Sequence, residues 1–233
     1  MTTQFVFAPA AQMILPIAGQ TAKYPVRRVY CVGRNYAEHA KEMGFTGRED
    51  PFFFTKPADA LVPVTADHWG EIPYPSQTSN FHYEMELVVA LGSGGKDLTV
   101  EQAAKCIYGY AAGLDMTRRD LQAECKKQGR PWEVGKAFDF SGPIGPIYPA
   151  AAVQDIAHAT ISLEVNGQVK QNSTIASLIW SVPESIAFLS GLFELKAGDL
   201  IFTGTPEGVG AVVTGDTMVG RISGLADLQV RVV

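Results

Sequence analysis

Glu84 and Glu86 stand two residues apart in Phe81-His82-Tyr83-Glu84-Met85-Glu86-Leu87-Val88-Val89-Ala90. β-Branched and aromatic residues alternate with polar ones there, which predicts a strand. Side chains two apart share a face. Tyr83, Met85, Leu87 and Val89 therefore form an apolar face, while His82, Glu84 and Glu86 line the other. Two carboxylates in line on such a strand repel each other and are costly to bury unpaired. A divalent cation between them removes that cost, and hard oxygen ligands suit magnesium, calcium or manganese. An edge strand with a solvated acidic face accounts for the same pattern, so the rest of the chain has to decide.

Further groups able to do chemistry recur along the chain. His39 and Glu42 lie at i,i+3 in Gly33-Arg34-Asn35-Tyr36-Ala37-Glu38-His39-Ala40-Lys41-Glu42-Met43-Gly44. On a helix they touch on one face, and a carboxylate beside an imidazole orients it and raises its basicity, as a general base requires. From these residues alone a solvated surface pair is the commoner reading. Asp115 ends an apolar run, Ile107 to Leu114, where an acid serves either a metal or a helix cap. Lys136 is flanked by bulky apolar residues, so a partly buried ammonium seeking an anion is expected. Thr203-Gly204-Thr205-Pro206-Glu207-Gly208-Val209-Gly210 is rich enough in glycine for backbone amides to approach a ligand closely. A barrel corner has the same composition. Gly92-Ser93-Gly94-Gly95-Lys96-Asp97 lacks phosphate-loop spacing and reads as a turn.

The elements that must carry these groups are short. Asn35 as cap, Glu38 three residues later and Gly44 as stop predict a brief helix, marginal without tertiary support. With the polar stretch 45–52 behind it, residues 35–50 are expected to act as a lid that closes on substrate. Strands are expected at Gln4 to Ala8, Arg28 to Val32, Phe52 to Lys56, Ile107 to Leu114 and through the tail from Thr217. Asn166-Gly167 signals a type I′ hairpin. Helices are expected at Thr99 to Lys105, from about Met116, and at Pro183 to Leu192 with Ser181 as cap. We divide the chain into a lead-in of strand and turn, 1–25, and a catalytic domain, 26–233.

At 233 residues and 46% hydrophobic content the chain has material for one sizeable core, and 23 glycines with 14 prolines favour many turns. A net charge of −5 argues against nucleic acid. No apolar run reaches the length of a membrane span, and no charged start precedes the short apolar stretch before Pro16, so no secretory signal is expected. Three cysteines without CxxC spacing suggest neither a disulfide framework nor a zinc site. A reduced, cytoplasmic protein follows.

Seven segments then fall in one order: GRNYAEHAKEMG, PFFFTKP, HYEMELVVALG, YGYAAGLDMTRRDLQ, GKAFDFSGPIGP, LEVNGQVKQ and IFTGTPEGVG. From about Arg28 to the C-terminus the chain resembles the fumarylacetoacetate hydrolase family, in its short acylpyruvate hydrolase branch. The resemblance implies a mainly β, mixed β-sandwich roll with short helices, a homodimer, and one Mg²⁺ or Mn²⁺ per subunit held by Glu84, Glu86 and Asp115. It implies His39 as catalytic base with Glu42 as its partner; Glu207, in the late loop, is the other candidate. Lys136 and Gln122 are implied near the substrate and the developing oxyanion. Arg119 and Arg34 are implied as carboxylate holders, and Thr205 with the loop amides as the pyruvoyl carboxylate site. For the far end of an acidic acyl group, Arg34, Lys56 and Arg118 are the candidate cations.

The implied reaction is metal-dependent hydrolysis of a carbon–carbon bond in an acylpyruvate, foremost fumarylpyruvate to fumarate and pyruvate, as in gentisate-type aromatic catabolism. Decarboxylation of oxaloacetate or another β-keto acid needs the same metal but no attacking water, and isomerisation of a 2-hydroxy-dienoate needs only proton transfer. A non-catalytic metal and dicarboxylate module is the rival from another class, and it has no use for a His–Glu pair.

Overall fold

A computed structural model describes residues 3–36 and 48–233. His39, Glu42 and most of the expected lid lie outside the described residues. The strongest alternations give the central strands. Met85–Leu91 pairs antiparallel with Ile107–Leu114 on one side and with Leu200–Phe202 on the other. The sheet runs Phe52–Lys56, Val29–Gly33, Leu200–Phe202, Met85–Leu91, Ile107–Leu114, Gly142–Ile144 and Leu61–Pro63, with Tyr148–Pro149 added beside Ile107–Leu114. It is mixed, because Leu200–Phe202 with Val29–Gly33, and Gly142–Ile144 with Leu61–Pro63, pair in parallel.

A second sheet orders Gln168–Thr174, Thr160–Val165, Thr217–Ile222, Leu228–Val232 and Gly70–Ile72. Asn166 and Gly167 have φ of 51° and 76°, the two left-handed residues of the type I′ turn expected there. Period-two burial explains how the sheets stack. Tyr83, Met85, Leu87 and Val89 join Ile161, Leu163, Met218 and Val230 in the core between them. Val88 and Ala90, on the opposite face, join Leu15, Tyr24, Val29 and Phe202 in a second core. Both faces of Met85–Leu91 are thus covered, and the solvated edge strand is ruled out. The mainly β sandwich roll is the architecture expected.

Short helices carry what the strands cannot. Val100–Lys105 starts at Thr99, whose hydroxyl accepts from Gln102 N while Gln102 Oε1 accepts from Thr99 N. Val182–Leu192 starts at Ser181, whose N–H donates to Glu184 Oε2 at 2.9 Å. Met116 does not begin a helix: Thr117–Arg118 first pairs with Phe81–Tyr83, and the helix follows at Arg119–Gln128. The strand expected at Gln4 to Ala8 is absent. With Phe5 64% and Val6 100% exposed, that segment has no strand partner among the described residues, and the first strands are Ile14–Pro16 and Lys23–Pro25.

Leu163 has no exposed surface and sits between the two sheets. Leu163→Ala is expected to lower stability by about 2–5 kcal/mol, seen as a reduced urea midpoint at unchanged slope.

Candidate active site

Two adjacent strands change sheets at one level. Phe81–Tyr83 belongs to a three-stranded sheet with Thr117–Arg118 and Gly210–Val212, and after Glu84 the chain enters the large sheet as Met85–Leu91. Its neighbour leaves the large sheet at Leu114 and joins the small one at Thr117. The register is unchanged across the break, with Met85 facing Leu114 and His82 facing Thr117. Glu84 therefore stands opposite Asp115, whose N–H donates to Glu84 O at 2.9 Å. Glu86 faces Gly113, so no side chain crowds it from directly across the ladder. All three carboxylates share one face.

They are buried together. Glu84 is 6% exposed, Glu86 2% and Asp115 not at all, and one carboxylate oxygen from each lies within 4.8 Å of the others. Cations from three other elements reach in. Lys136, closing the helical turn Glu133–Lys136, donates to Glu84 Oε2 at 2.8 Å, Asp115 Oδ2 at 2.7 Å and Thr117 Oγ1 at 2.6 Å. Lys56, ending Phe52–Lys56, sits 2.8 Å from Asp115 Oδ1 but gives its hydrogen bonds to Met116 O, Lys136 O and Ser141 Oγ. Arg119, opening its helix, donates from Nη2 to Glu84 Oε1 at 2.5 Å.

Glu86 is different. Its only described hydrogen bond comes from Gly204 N, at 2.8 Å to Oε2, and no described cation pairs with it. Burial, then the charges of Asp115 and Glu84, push its pKa well up. Burial pulls Lys136 down, but Asp115 and Glu84 outweigh it and leave the ammonium's pKa raised. A cluster of three carboxylate donors with one lacking a cation fits a hard divalent ion such as Mg²⁺ or Mn²⁺.

The surrounding groups are tightly placed. Arg119 Nη1 donates to Gln122 Oε1 at 2.6 Å, so the Gln122 amide is turned with its oxygen occupied and its N–H donors not engaged by any described protein atom. Arg119 Nε reaches His82 Nδ1 at 3.4 Å, and His82 Nε2 lies 2.7 Å from Asn80 Oδ1. Burial and the neighbouring Arg119 hold the imidazole down to about 4, so it is neutral near pH 7 and accepts from the guanidinium.

The loop after Leu200–Phe202 closes the pocket and is gripped by two buried amides. Asn35 Nδ2 donates to Thr203 O and Trp180 O, at 2.9 and 3.0 Å, while its Oδ1 accepts from Trp180 N. Gln171 Nε2 donates to Thr205 Oγ1 and Pro206 O, and its Oε1 accepts from Met85 N, between the two glutamates. The Thr205 hydroxyl donates to Met85 O; it lines the pocket with its polar atom already engaged in the framework. Gly204 has φ 101°, and a Cβ there would stand 2.8 Å from Asn35 Cβ, so the backbone approaches Glu86 where only glycine fits.

The sequence-expected residues Glu84, Glu86, Asp115, Arg119, Gln122, Lys136, Thr205 and Arg34 converge on this site: the first three form the cluster and Arg34 lines the same pocket. His39 and Glu42 lie outside the described residues. Glu207 belongs to the gripped loop, its carbonyl 3.5 Å from Gln171 Nε2. Lys56, offered for the acyl end, is committed to the cluster, and Arg118 lies 4.3 Å over the Phe138 ring and donates to Val134 O. Sequence reading missed Gln171, His82 and the anchoring role of Asn35. Gln171 carries no local signal beyond interrupting a strand with a buried amide. The Cys31 thiol is buried, and burial with the nearby Asp115 raises its pKa, so it is no nucleophile.

Lys136→Met leaves Glu84 and Asp115 short of a buried cation and is expected to cost about 3–5 kcal/mol in the metal-free protein. Urea unfolding in EDTA measures that loss, and added Mg²⁺ should recover part of it. Glu86→Gln is expected to weaken Mn²⁺ binding by at least about tenfold, by calorimetry.

Residues 28–233 match the family described as fumarylacetoacetate (FAA) hydrolase, C-terminal. A fumarylpyruvate hydrolase of Ralstonia sp is 50% identical over 184 residues, 79% of this chain and 93% of that protein. The oxaloacetate tautomerase YcgM of Escherichia coli (strain K12) is 43% identical over 88% of this chain and 93% of its own length. The crystal structure of fumarylpyruvate hydrolase from Pseudomonas aeruginosa, in complex with Mn²⁺ and pyruvate, superposes with a TM-score of 0.97 at 61% identity, covering 99% of each chain. With its matched residues running through the whole carboxylate cluster, this chain belongs to the fumarylacetoacetate hydrolase family.

Proposed function

We propose that this chain hydrolyses fumarylpyruvate to fumarate and pyruvate. The observation that carries the reading is the buried Glu84, Glu86 and Asp115 cluster set beside Lys136 and a Gln122 amide whose N–H donors no described residue engages. The likeness to fumarylpyruvate hydrolases over nearly the whole chain supports it. A divalent metal held by the three carboxylates supplies Lewis-acid charge for the 2-keto acid and the enolate formed on cleavage.

The chain's own residues do the rest. His39, with Glu42 as partner, takes a proton from the water that attacks the distal carbonyl. Gln122 donates N–H to the oxyanion that develops there, and the Lys136 ammonium adds positive charge beside it. Collapse breaks the carbon–carbon bond: the acyl carbon keeps the water oxygen and leaves as a carboxylate, and the pyruvate carbanion equivalent is protonated at C3. Arg119 is locked by Glu84 and His82, so its role is to fix Gln122. Arg34 and the amides around Thr205 hold the carboxylate of the pyruvoyl end. The chain acts as a cytoplasmic homodimer in gentisate-type aromatic breakdown; three buried free cysteines are consistent with a reducing compartment.

The likeness to an oxaloacetate tautomerase favours one second reading, enol–keto exchange of oxaloacetate on the same cluster. That reaction moves a proton and needs no attacking water. Loss of fumarylpyruvate absorbance with Mg²⁺, abolished by EDTA and yielding fumarate and pyruvate in equal amounts, is the expected result. No turnover of fumarylpyruvate beside rapid oxaloacetate exchange would overturn the hydrolase reading. His39→Ala is expected to lower kcat for hydrolysis by about 10²- to 10⁴-fold.

A further inference from the structure

We infer that Arg130 is the specificity-determining residue that selects an acyl group ending in a carboxylate. The inference rests on the hydrolase reading and adds to it the means by which one acylpyruvate is preferred over another.

A cavity of about 610 Å³ adjoins the pocket that contains Glu84 and Glu86, and Arg34, Phe54 and Trp132 line both. The pyruvoyl end belongs at the carboxylate cluster, which leaves the acyl end for the outer cavity. Aromatic rings line it among polar groups: Trp132 packs edge-on against Phe52, with centroids 5.2 Å apart, and at 5.9 Å from Phe54. Rings so arranged suit a planar, conjugated chain. A charged terminus on that chain then needs a cation beyond the rings.

Arg130 supplies it. Among the described residues, Arg130 lines the cavity together with Arg34 and one carboxylate, Glu133. The Arg34 guanidinium lies 5.2 Å from the Phe52 ring centre, at the boundary between the two spaces. Arg130 is set by backbone geometry. The helix Arg119–Gln128 ends at Gly129, with φ 64°, where Gly129 N donates to Lys126 O and Arg130 N to Cys125 O at 2.8 Å. That pair of bonds fixes the direction in which the chain leaves the helix. One element therefore presents Arg119 and Gln122 to the inner pocket at its start and Arg130 to the outer cavity at its end. The helical rise from Arg119 to Gln128 is about 14 Å, so the end of the element that carries Arg130 stands well away from the end that carries Arg119.

The test compares acyl groups with and without the terminal charge. In the Mg²⁺-loaded enzyme, Arg130→Gln is expected to raise KM for fumarylpyruvate by about 10- to 100-fold, the range of one hydrogen bond to a charged group. KM for acetylpyruvate should stay within about twofold, and Arg130→Lys should recover part of the loss for fumarylpyruvate. Equal effects on both substrates, or none on either, would overturn the assignment. Calorimetric titration with fumarate and with crotonate, which lacks the second carboxylate, decides the matter without turnover. Fumarate binding weakened in Arg130→Gln with crotonate unaffected supports Arg130, and fumarate binding equally to wild type and variant refutes it. An enzyme that hydrolyses neither acylpyruvate would defeat the hydrolase reading and leave the titration to judge Arg130.

Discussion

Everything at the centre of this molecule answers to three carboxylates held out of water on one face of two strands. Charges in such a place are tolerated only when paired and hydrogen-bonded. Lys136, Lys56 and Arg119 come from three separate segments to meet Glu84 and Asp115. Glu86 is the exception, reached among the described residues by a single backbone amide. The cluster is nearly balanced by protein cations and completed by a divalent one.

Around this charge balance the fold supplies rigidity from neutral groups. Asn35 and Gln171 hold opposite ends of the Thr203–Pro206 loop, and both bring together stretches far apart in sequence. Gln171 belongs to the smaller sheet yet touches the backbone between the two glutamates. The two-layer sandwich is thereby coupled to the site by more than apolar contact. Buried amides with each donor and acceptor matched to one partner specify a geometry that hydrophobic packing leaves loose.

Much of this was legible in the sequence because it rests on local pattern. Period-two alternation placed Glu84 and Glu86 on one face, the Asn166-Gly167 pair marked a hairpin, and Thr99 and Ser181 marked helix starts. What stayed hidden depends on partners distant in sequence. Alternation predicted a strand at Gln4 to Ala8, but a strand exists only beside another, and none lies there. Lys56 read as a strand end and a candidate for substrate, while tertiary structure spends its hydrogen bonds on Met116, Lys136 and Ser141. His82 read as one more polar residue of its face; its neighbour Arg119 makes it a neutral acceptor.

The unbroken register across the sheet change at Glu84 and Asp115 has a consequence for how the chain tolerates alteration. A slip of one residue that turned the Glu84–Glu86 strand over would carry both carboxylates to the opposite face, against Ile161, Leu163 and Met218. The apolar core would then receive a charge in the same event that dismantled the cluster. Misfolded registers are thus penalised twice, and loss of the site and loss of the core are one failure. Connecting loops accept insertions and deletions more readily than paired strands do, which leaves them as the place where the chemistry can diversify while the ladder stays as it is.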